Sequence, residues 1–380
     1  MRLEEIPGQN HLKSYFKKVI SENRMPHALL LVGDEGFGPL AFANGIATLL
    51  QCNNAIDFVA CGVCSSCVKS TQYIHPDIHF SFPVVKHDKF KREDTTSKNF
   101  LPEWRTFLQS NIFGDLNDWL NHINASDKGA NMNVTECNGI IKNLSLKTYE
   151  GKYKIQIIWH SELLGKEGNR LLKLIEEPTP ESIIILTCTN RNAILNTIRS
   201  RCQIVNVPPI DDDSIGTYLE NNFSINGDQV NEIKYLASGN LRTASQIASR
   251  SQMNYSEDML NWFRYAYKAD PDDLNEWVTY LASKSKQDIK TFMRYTLHFL
   301  REYLLGMNLK ETNSLRLSNE EKNVILKMQK IINRPKTEQL SFIFSKNIGY
   351  IDRNLSIKIL IMNMTLEINE ILRSEINKFV

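Results

Sequence analysis

Short apolar runs alternate with helical patterns through the first half of the chain, and this alternation limits the fold more than any other feature. The runs contain four to six residues each and end at turn formers such as Gly33 and Pro83. Such runs are typical of buried strands, and strands separated by helices form a largely parallel sheet. We therefore predict an α/β domain with strands at residues 28–32, 78–82, 154–159, 183–186 and 203–207.

The strand patterns stop at Pro208 and Pro209, and apolar residues then recur at helical spacing as far as the C-terminus. This change predicts an α/β domain at residues 1–208, a small helical unit at 209–250 and a helical domain at 251–380. Residues 86–131 are polar and weakly patterned, with helical signals only between Phe100 and Leu120. We interpret this stretch as an insertion that runs over the surface.

The composition restricts location and partners. The formal net charge is +2 and the pI is about 8.0, so the overall charge does not indicate a strong nucleic-acid-binding surface. The first six residues lack the apolar core of a signal peptide, and the longest apolar runs are too short to cross a bilayer. We predict a cytoplasmic protein without a membrane partner, in which the seven cysteines do not form structural disulfides.

Four cysteines are clustered with the spacing C-x8-C-x2-C-x2-C, at Cys52, Cys61, Cys64 and Cys67. Overlapping CxxC steps hold thiolates on tight turns, where two pairs can grip one tetrahedral ion. The cluster at residues 52–67 therefore predicts one closed, structural zinc site. Four buried free thiols and an iron–sulfur cluster are the alternatives.

A glycine-rich loop follows the first predicted strand and precedes a predicted helix, which is the context of a phosphate-binding loop. Gly33, Gly36 and Gly38 are spaced as in GxxxxGK[ST], but Pro39 replaces the lysine and Leu40 replaces the Ser/Thr. Proline supplies neither a cation nor an N–H donor, and leucine cannot bind magnesium. We interpret the loop as a degenerate nucleotide site without bound ATP. An unrelated glycine-rich turn is the alternative.

The strand at 154–159 offers a second check on this interpretation. In a working ATPase it would end in Asp-Glu, which organise magnesium and the attacking water. Trp159 and His160 stand there instead, and Glu162 lies three residues past the expected Asp. Either this strand never carried the acids, or the site has lost them. Two losses at two expected places favour a degenerate nucleotide site.

These features occur in the order that is found in the clamp-loader subunits of bacterial DNA polymerase III, which belong to the AAA+ proteins. The chain resembles this family from about Glu5 to Ala244, and it is most similar to the delta-prime type. The matching stretches are Pro-His-Ala-Leu-Leu at 26–30, the loop at Gly33, the four cysteines, Asn-Arg-Leu-Leu-Lys-Leu-Ile-Glu-Glu-Pro at 169–178 and Ile-Arg-Ser-Arg-Cys at 198–202.

The resemblance implies roles for several residues. Ser200, Arg201 and Cys202 would form the SRC motif, in which Arg201 reaches the γ-phosphate of ATP on a neighbouring motor subunit. A surface or capping role is the alternative for this arginine. Asn190 falls near the first sensor position, and Arg242 falls near the second, where it would face the phosphate loop.

The resemblance also implies an architecture and partners. The AAA+-like P-loop sheet domain would be followed by a helical lid at 209–250 and by a helical collar at 251–380, through which a five-subunit ring assembles. The partners would be gamma/tau-like motor subunits, a delta-like subunit and the sliding clamp, with primed DNA bound through the complex. The expected function is that of a non-catalytic subunit that helps to load the clamp.

Two other functions remain open from the sequence. One is an ATP-hydrolysing motor subunit of the gamma/tau type with an unusual phosphate loop, against which Pro39, Leu40, Trp159 and His160 argue. The other is a zinc-dependent nucleic-acid-binding module. The stretch from Cys52 to Cys67 contains no Lys or Arg, which argues against this role.

Overall fold

The computed structural model describes residues 1–86, 95–126, 128–225, 227–250, 254–308, 315–317, 319–329, 331–351 and 355–374. The chain divides into two compact units. The first unit contains Met1–Tyr218 and Ser238–Thr243, and the second contains Leu219–Ala237 and Ala244–Val380. The short stretch from Ser238 to Thr243 thus belongs to the first unit, although the residues on both sides of it belong to the second.

The first unit is built on a five-stranded sheet in the order β2-β3-β4-β1-β5, and all of its pairings are parallel. Its three inner strands are buried almost throughout, which explains their largely apolar sequences. The predicted α/β class with a parallel sheet is confirmed. The strands are β1 (Ala28–Val32), β2 (Ile78–Ser81), β3 (Lys154–Ile158), β4 (Ser182–Cys188) and β5 (Gln203–Asn206).

Helices connect these strands. Up to the end of β5 they are α1 (Asn10–Ser21), α2 (Pro39–Gln51), α3 (Ser65–Thr71), α4 (Leu101–Asn111), α5 (Leu116–His122), α6 (Val134–Ser145), α7 (Leu172–Glu176) and α8 (Asn196–Arg199). Helix α2 is buried along all 13 of its residues. Its sequence carries no charged side chain, as such burial requires.

The apolar residues Leu171, Leu172, Leu174 and Ile175 recur at helical spacing and predict a helix at 169–177, which has a different form in the structure. A 3-10 helix spans Ser161–Leu171 and leads directly into the short helix α7. Gly165 interrupts the 3-10 helix with a φ of 52° and a ψ of −138°, a conformation that glycine tolerates best. The apolar pattern therefore predicted the buried side of this segment but not its type of helix.

The prediction that residues 86–131 run over the surface is wrong for the two helices of this stretch. Trp104 of α4 and Trp119 of α5 are fully buried. Both rings pack on Phe82, just after β2, at centroid distances of 4.1 Å and 5.2 Å. The Trp119 indole also donates a hydrogen bond of 2.9 Å to the carbonyl of Pro83. The two helices thus add an aromatic core beside the sheet.

The rest of the described chain is helical, as predicted. In the second unit, the Trp262 indole donates a hydrogen bond of 2.9 Å to the Thr365 hydroxyl, and both side chains are fully buried. Among the helices that the structure describes, none is long and apolar enough to cross a membrane. The helices after β5 are α9 (Asp212–Asn222), α10 (Gly227–Ala237), α11 (Leu241–Arg250), α12 (Tyr255–Lys268), α13 (Pro271–Ala282), α14 (Lys286–Asn308), α15 (Asn319–Met328), α16 (Arg334–Ile348) and α17 (Ile357–Arg373).

Candidate functional site: a filled phosphate loop and a four-cysteine cluster

The glycine loop connects β1 to α2 at the edge of the sheet where the parallel strands end. One 3-10 turn spans Glu35–Phe37, and Gly38 then adopts a φ of 89°. Helix α2 begins at Pro39, where proline is favoured because the first helical N–H has no partner within the helix. Leu40 is buried in the core and presents no group to the loop. The backbone frame of a phosphate loop is therefore present without its side-chain chemistry.

Protein side chains fill the space beside the glycines. A ring atom of Phe113 lies 2.7 Å from the point that a Cβ on Gly38 would occupy. The amide of Asn240 lies even closer to the corresponding point beside Gly36, and its nitrogen donates a hydrogen bond of 2.6 Å to Asp34. Phe113 comes from the stretch between α4 and α5 and is itself buried. Side chains from two distant parts of the sequence thus cover the loop.

A chain of acids and imidazole joins the loops that follow β1, β3 and β4. His160 lies 3.0 Å from a carboxylate oxygen of Glu35 through Nε2 and 3.2 Å from Glu162 through Nδ1. The Thr189 hydroxyl donates a hydrogen bond of 3.0 Å to the same Glu162 carboxylate. Burial by itself would lower the pKa of His160, but the two glutamates raise it to about 9. The imidazole is therefore a buried cation at neutral pH.

Arg242 is held by two aspartates at the start of α5. Its Nε lies 2.5 Å from Asp118 Oδ2, and its Nη2 donates to Asp118 Oδ1 at 2.9 Å. A second carboxylate, that of Asp115, lies 3.0 Å from Nη2. Burial raises the pKa of Asp115, whereas the guanidinium lowers the pKa of Asp118 in spite of its burial. Arg242 thus pairs with protein carboxylates, and it is Asn240, two residues earlier, that contacts the glycine loop.

The loop region as a whole carries more negative than positive charge. Two cations, Arg242 and protonated His160, face a larger set of acids whose carboxylates would repel phosphate. The acids that contact these cations or line the loop are Asp34, Glu35, Asp115, Asp118 and Glu162. This excess of negative charge disfavours the binding of a nucleoside triphosphate.

Two other residues that the sequence assigned to the nucleotide site, Trp159 and Asn190, make contacts within the protein. The Trp159 ring is buried and packs against Trp104 at a centroid distance of 5.1 Å. Asn190 is exposed, and its side chain accepts a hydrogen bond of 2.9 Å from the backbone N–H of Asn192. Each of these side chains therefore has a contact that stabilises local structure.

Arg201 lies on the surface between α8 and β5. Its Nε is 2.5 Å from a Glu176 carboxylate oxygen, and its Nη1 donates a hydrogen bond of 2.9 Å to the Thr197 carbonyl. Ser200 is also exposed. Cys202 is half-buried, and burial raises the pKa of its thiol to about 11. An exposed pair of this kind is weak enough for the guanidinium to exchange partners.

The four clustered cysteines converge in the structure. Their sulfur atoms all lie within 4.8 Å of one another, around the end of α2 and the start of α3. Backbone N–H groups point at three of the sulfurs: Cys61 N–H at Cys52, Cys64 N–H at Cys61 and Cys67 N–H at Cys64, at 3.3 to 3.4 Å. The N–H groups of Cys64 and Val63 lower the pKa of Cys61 to about 6. Gly62 permits the tight turn with a φ of 77°.

This arrangement can hold one metal ion. A tetrahedral ion with sulfur ligands about 2.3 Å away separates neighbouring sulfurs by about 3.8 Å. The Cys61 and Cys67 sulfurs are 4.0 Å apart, so only a small adjustment is needed. Within the part of the chain that the structure describes, this is the one group of His, Cys, Asp or Glu side chains placed to share an ion.

Several residues that surround the glycine loop were not predicted from the sequence. Glu35, Phe113, Asp115, Asp118 and Asn240 were not singled out. One signal was available, because Asp115 and Asp118 form a helix-capping pair at the start of α5. That pattern predicts the helix end, however, and does not reveal the contact with Arg242.

The parallel sheet and the glycine loop define the AAA+-like P-loop class that the sequence predicted. The sequence profile of the family described as "DNA polymerase III, delta subunit" matches residues 8–211, which is more than half of the 380 residues. The chain belongs to this family. This match confirms the resemblance to the clamp-loader subunits of DNA polymerase III.

Proteins with similar sequences are also named as subunits of DNA polymerase III. DNA polymerase III subunit tau of Escherichia coli (strain K12) is 24% identical over 217 residues, which cover 57% of this chain but only 27% of the relative. DNA polymerase III subunit gamma of Buchnera aphidicola subsp. Schizaphis graminum is 23% identical over 264 residues, which cover 68% of this chain and 60% of the relative. The match thus spans less than two thirds of either relative.

Two solved structures are also similar. A DNA polymerase III gamma subunit-related protein of Thermotoga maritima has a TM-score of 0.37 and 14% identity, covering 95% of this chain and 99% of that one. The DNA clamp loader delta protein of Bacillus subtilis has a TM-score of 0.34 and 8% identity, covering 94% and 99%. At these scores, the family assignment rests on the sequence match.

Proposed function

We propose that this chain is a delta-prime-type clamp-loader subunit, which does not hydrolyse ATP and offers Arg201 to the ATP site of a neighbouring subunit. The observation that carries the proposal is a contrast within one sheet. The chain's own phosphate loop is filled by Phe113 and Asn240 and is surrounded by acids. Arg201 in contrast is exposed.

The position of Arg201 supports action on another subunit. The residue lies two positions before the start of β5, whereas the glycine loop follows β1, and the two strands are parallel neighbours. Arg201 and the loop therefore lie at opposite ends of these neighbouring strands, separated by about the length of a strand, roughly 13–17 Å. An arginine side chain cannot bridge that distance to its own loop. A nucleotide phosphate that Arg201 contacts would therefore be bound to another subunit.

The chemistry of such an arginine is electrostatic. A fixed guanidinium stabilises charge that develops on a phosphoryl group during its transfer. The ion pair with Glu176 holds the Arg201 side chain on the surface before a partner is present. The pair is exposed to solvent, so little free energy is needed to exchange the carboxylate for a phosphate oxygen.

The decisive experiment is reconstitution with gamma/tau-type motor subunits, a delta-type subunit, the sliding clamp and primed DNA. Arg201→Ala should slow ATP hydrolysis at the neighbouring site by about a thousandfold while the complex still assembles. Single-turnover phosphate release measures this rate. Arg199→Ala, two residues away, is the matched control. Unchanged release by Arg201→Ala would remove the role in trans.

The motor alternative is tested on the isolated chain. Calorimetry with Mg-ATP should detect no binding, and no phosphate should be released. Micromolar binding with magnesium-dependent turnover would instead favour a gamma/tau-like motor. The filled loop argues against this outcome.

For the four cysteines, we propose one structural zinc ion. Cysteine thiolates in a closed tetrahedral set are typical ligands of structural zinc, and the sulfurs converge at suitable distances. Metal analysis of the purified chain should give about one zinc per molecule. A folded chain without metal would contradict the proposal, and iron would indicate a cluster instead. Salt-dependent DNA binding by the isolated chain would favour the nucleic-acid-binding alternative.

The domain roles complete the proposal. Residues 1–208 would form the AAA+-like domain, residues 209–250 the lid and residues 251–380 the collar for ring assembly. The expected partners are the motor subunits, a delta-like subunit, the clamp and primed DNA. The cytoplasmic location stays a prediction. Pull-down with purified motor subunits, using the chain with and without residues 251–380, tests the collar.

A further inference from the structure

Arg242 has a complete set of anionic partners inside the protein. Its Nε and Nη2 make two parallel contacts with the carboxylate of Asp118, at 2.5 Å and 2.9 Å, and Nη2 also meets Asp115 at 3.0 Å. Two-pronged contacts of this kind are the strongest that arginine makes with carboxylate or with phosphate. The Arg242 side chain is only about one fifth exposed, so these contacts are partly shielded from solvent.

The two aspartates are fixed in place independently of Arg242. Asp115 is the N-cap of α5 and accepts a hydrogen bond of 2.8 Å from the Asp118 N–H. Asp118 accepts hydrogen bonds of 3.2 Å from the Asp115 N–H and from the Asn111 side chain. Their carboxylates are therefore ordered before the arginine approaches, as phosphate oxygens would be in a bound nucleotide.

The same stretch of chain also reaches the glycine loop. Phe113, two residues before Asp115, packs against Gly38, where the last glycine of the loop leads into α2. Asn240, two residues before Arg242, bonds to Asp34 at the other end of the loop. The phosphate loop, the start of α5 and the segment Ser238–Thr243 thus form one connected group within the first unit.

We infer that residues Phe113 to Asp118 act as a built-in ligand of the phosphate loop region, in which Asp115 and Asp118 give Arg242 the negative charge that phosphate would otherwise supply. The conformation of Ser238–Thr243 is then independent of nucleotide. This role also explains why a stretch outside the alternating sheet pattern folds into the core. The inference does not depend on which clamp-loader subunit the chain is.

The test removes the negative charges of Asp115 and Asp118 and keeps the shapes of their side chains. The double variant Asp115→Asn and Asp118→Asn retains the helix cap, because asparagine caps as well as aspartate. Hydrogen exchange of the amides in residues 238–243 should become about tenfold faster, and Arg242→Gln should have the same effect. Asp57→Asn removes a charge from an exposed turn of the same unit and is the matched control.

Combining the changes shows whether they act through one contact. The triple variant should exchange no faster than Arg242→Gln alone, because the contact has already been lost. Unchanged exchange in either variant, or additive effects in the triple variant, would overturn the inference.

A second measurement asks whether the aspartates replace an anion. Inorganic triphosphate without magnesium should not raise the melting temperature of the wild-type chain. It should raise that of the double asparagine variant, and Arg242→Gln in that background should abolish the gain. A wild-type chain that responds as strongly as the variant, or a variant that does not respond, would contradict the built-in ligand.

Discussion

The two ends of helix α2 carry two sites that have opposite relations to a ligand. At its first residue, the glycine loop carries Pro39 and Leu40 in place of side chains that bind phosphate and magnesium, and Phe113, Asn240 and nearby acids surround it. At its other end, the four cysteine sulfurs from Cys52 to Cys67 converge on a common centre. Side chains of the protein itself occupy the surroundings of the first site, whereas the sulfurs of the second are placed to share an ion.

The largest expected effect is therefore at the cysteine end. Cys64→Ser should remove the bound metal and lower the free energy of unfolding by roughly 5 kcal/mol or more, because structural zinc contributes about 10–16 kcal/mol in small metal-folded domains. Metal content and chemical denaturation measure the two quantities. Cys137→Ala, at a buried cysteine outside the cluster, should keep the metal and cost about 1–2 kcal/mol. Equal losses in both variants would break the comparison.

The next effect is a pH dependence at the glycine loop. The pKa of His160 is about 9 in the folded chain and 6.5 is its ordinary value, so folding gains stability when the imidazole is protonated. This stabilisation is complete below pH 6.5 and is lost as the pH rises to about 9, on the order of 3 kcal/mol. Denaturation of the wild type and His160→Gln at both pH values isolates the contribution. Parallel pH profiles would contradict it.

A smaller effect should follow from restoring the phosphate-loop sequence. Pro39→Lys with Leu40→Thr supplies the missing side chains, but the loop remains covered by Phe113 and Asn240. We expect no ATP binding by calorimetry. We also expect a loss of about 2 kcal/mol of stability, because Leu40 is buried and threonine brings a hydroxyl into its place. Pro39→Ala is the control. Tight ATP binding by the restored loop would show that the covering side chains yield readily.

The smallest effect is at the surface beside the cysteine cluster. Lys69 of α3 pairs with Glu150 at 2.6 Å, and both side chains are about one third exposed. Glu150→Gln should therefore change stability by less than about 1 kcal/mol, and added salt should reduce the difference further. A large loss, or loss of metal, would mean that this pair supports the cluster.

The sequence was most informative where the signals are local. The bounds of β1 were predicted correctly because a continuous apolar run ends at Gly33. The convergence of the four cysteines followed from their spacing, since each CxxC step is a local turn. The glycine spacing of the loop and the absence of its lysine could also be predicted, because these positions are close together in the sequence.

The contacts that fill the loop could not be predicted in the same way. Arg242 and Asp118 are 124 positions apart, and nothing in either local pattern connects them. The aromatic core of α4 and α5 was missed because polar residues surround Trp104 and Trp119, so the stretch has a mean composition typical of a surface. The burial of a few large aromatic rings determines where this stretch lies in the fold. An average composition over the stretch does not reveal such rings.

Helix α2 has no side that faces solvent. At no position of this helix can a new side chain extend into solvent. Saturation mutagenesis should therefore find almost no tolerated change to a polar or larger side chain along its whole length. The connection between the loop and the cysteines should consequently be among the least mutable parts of the chain.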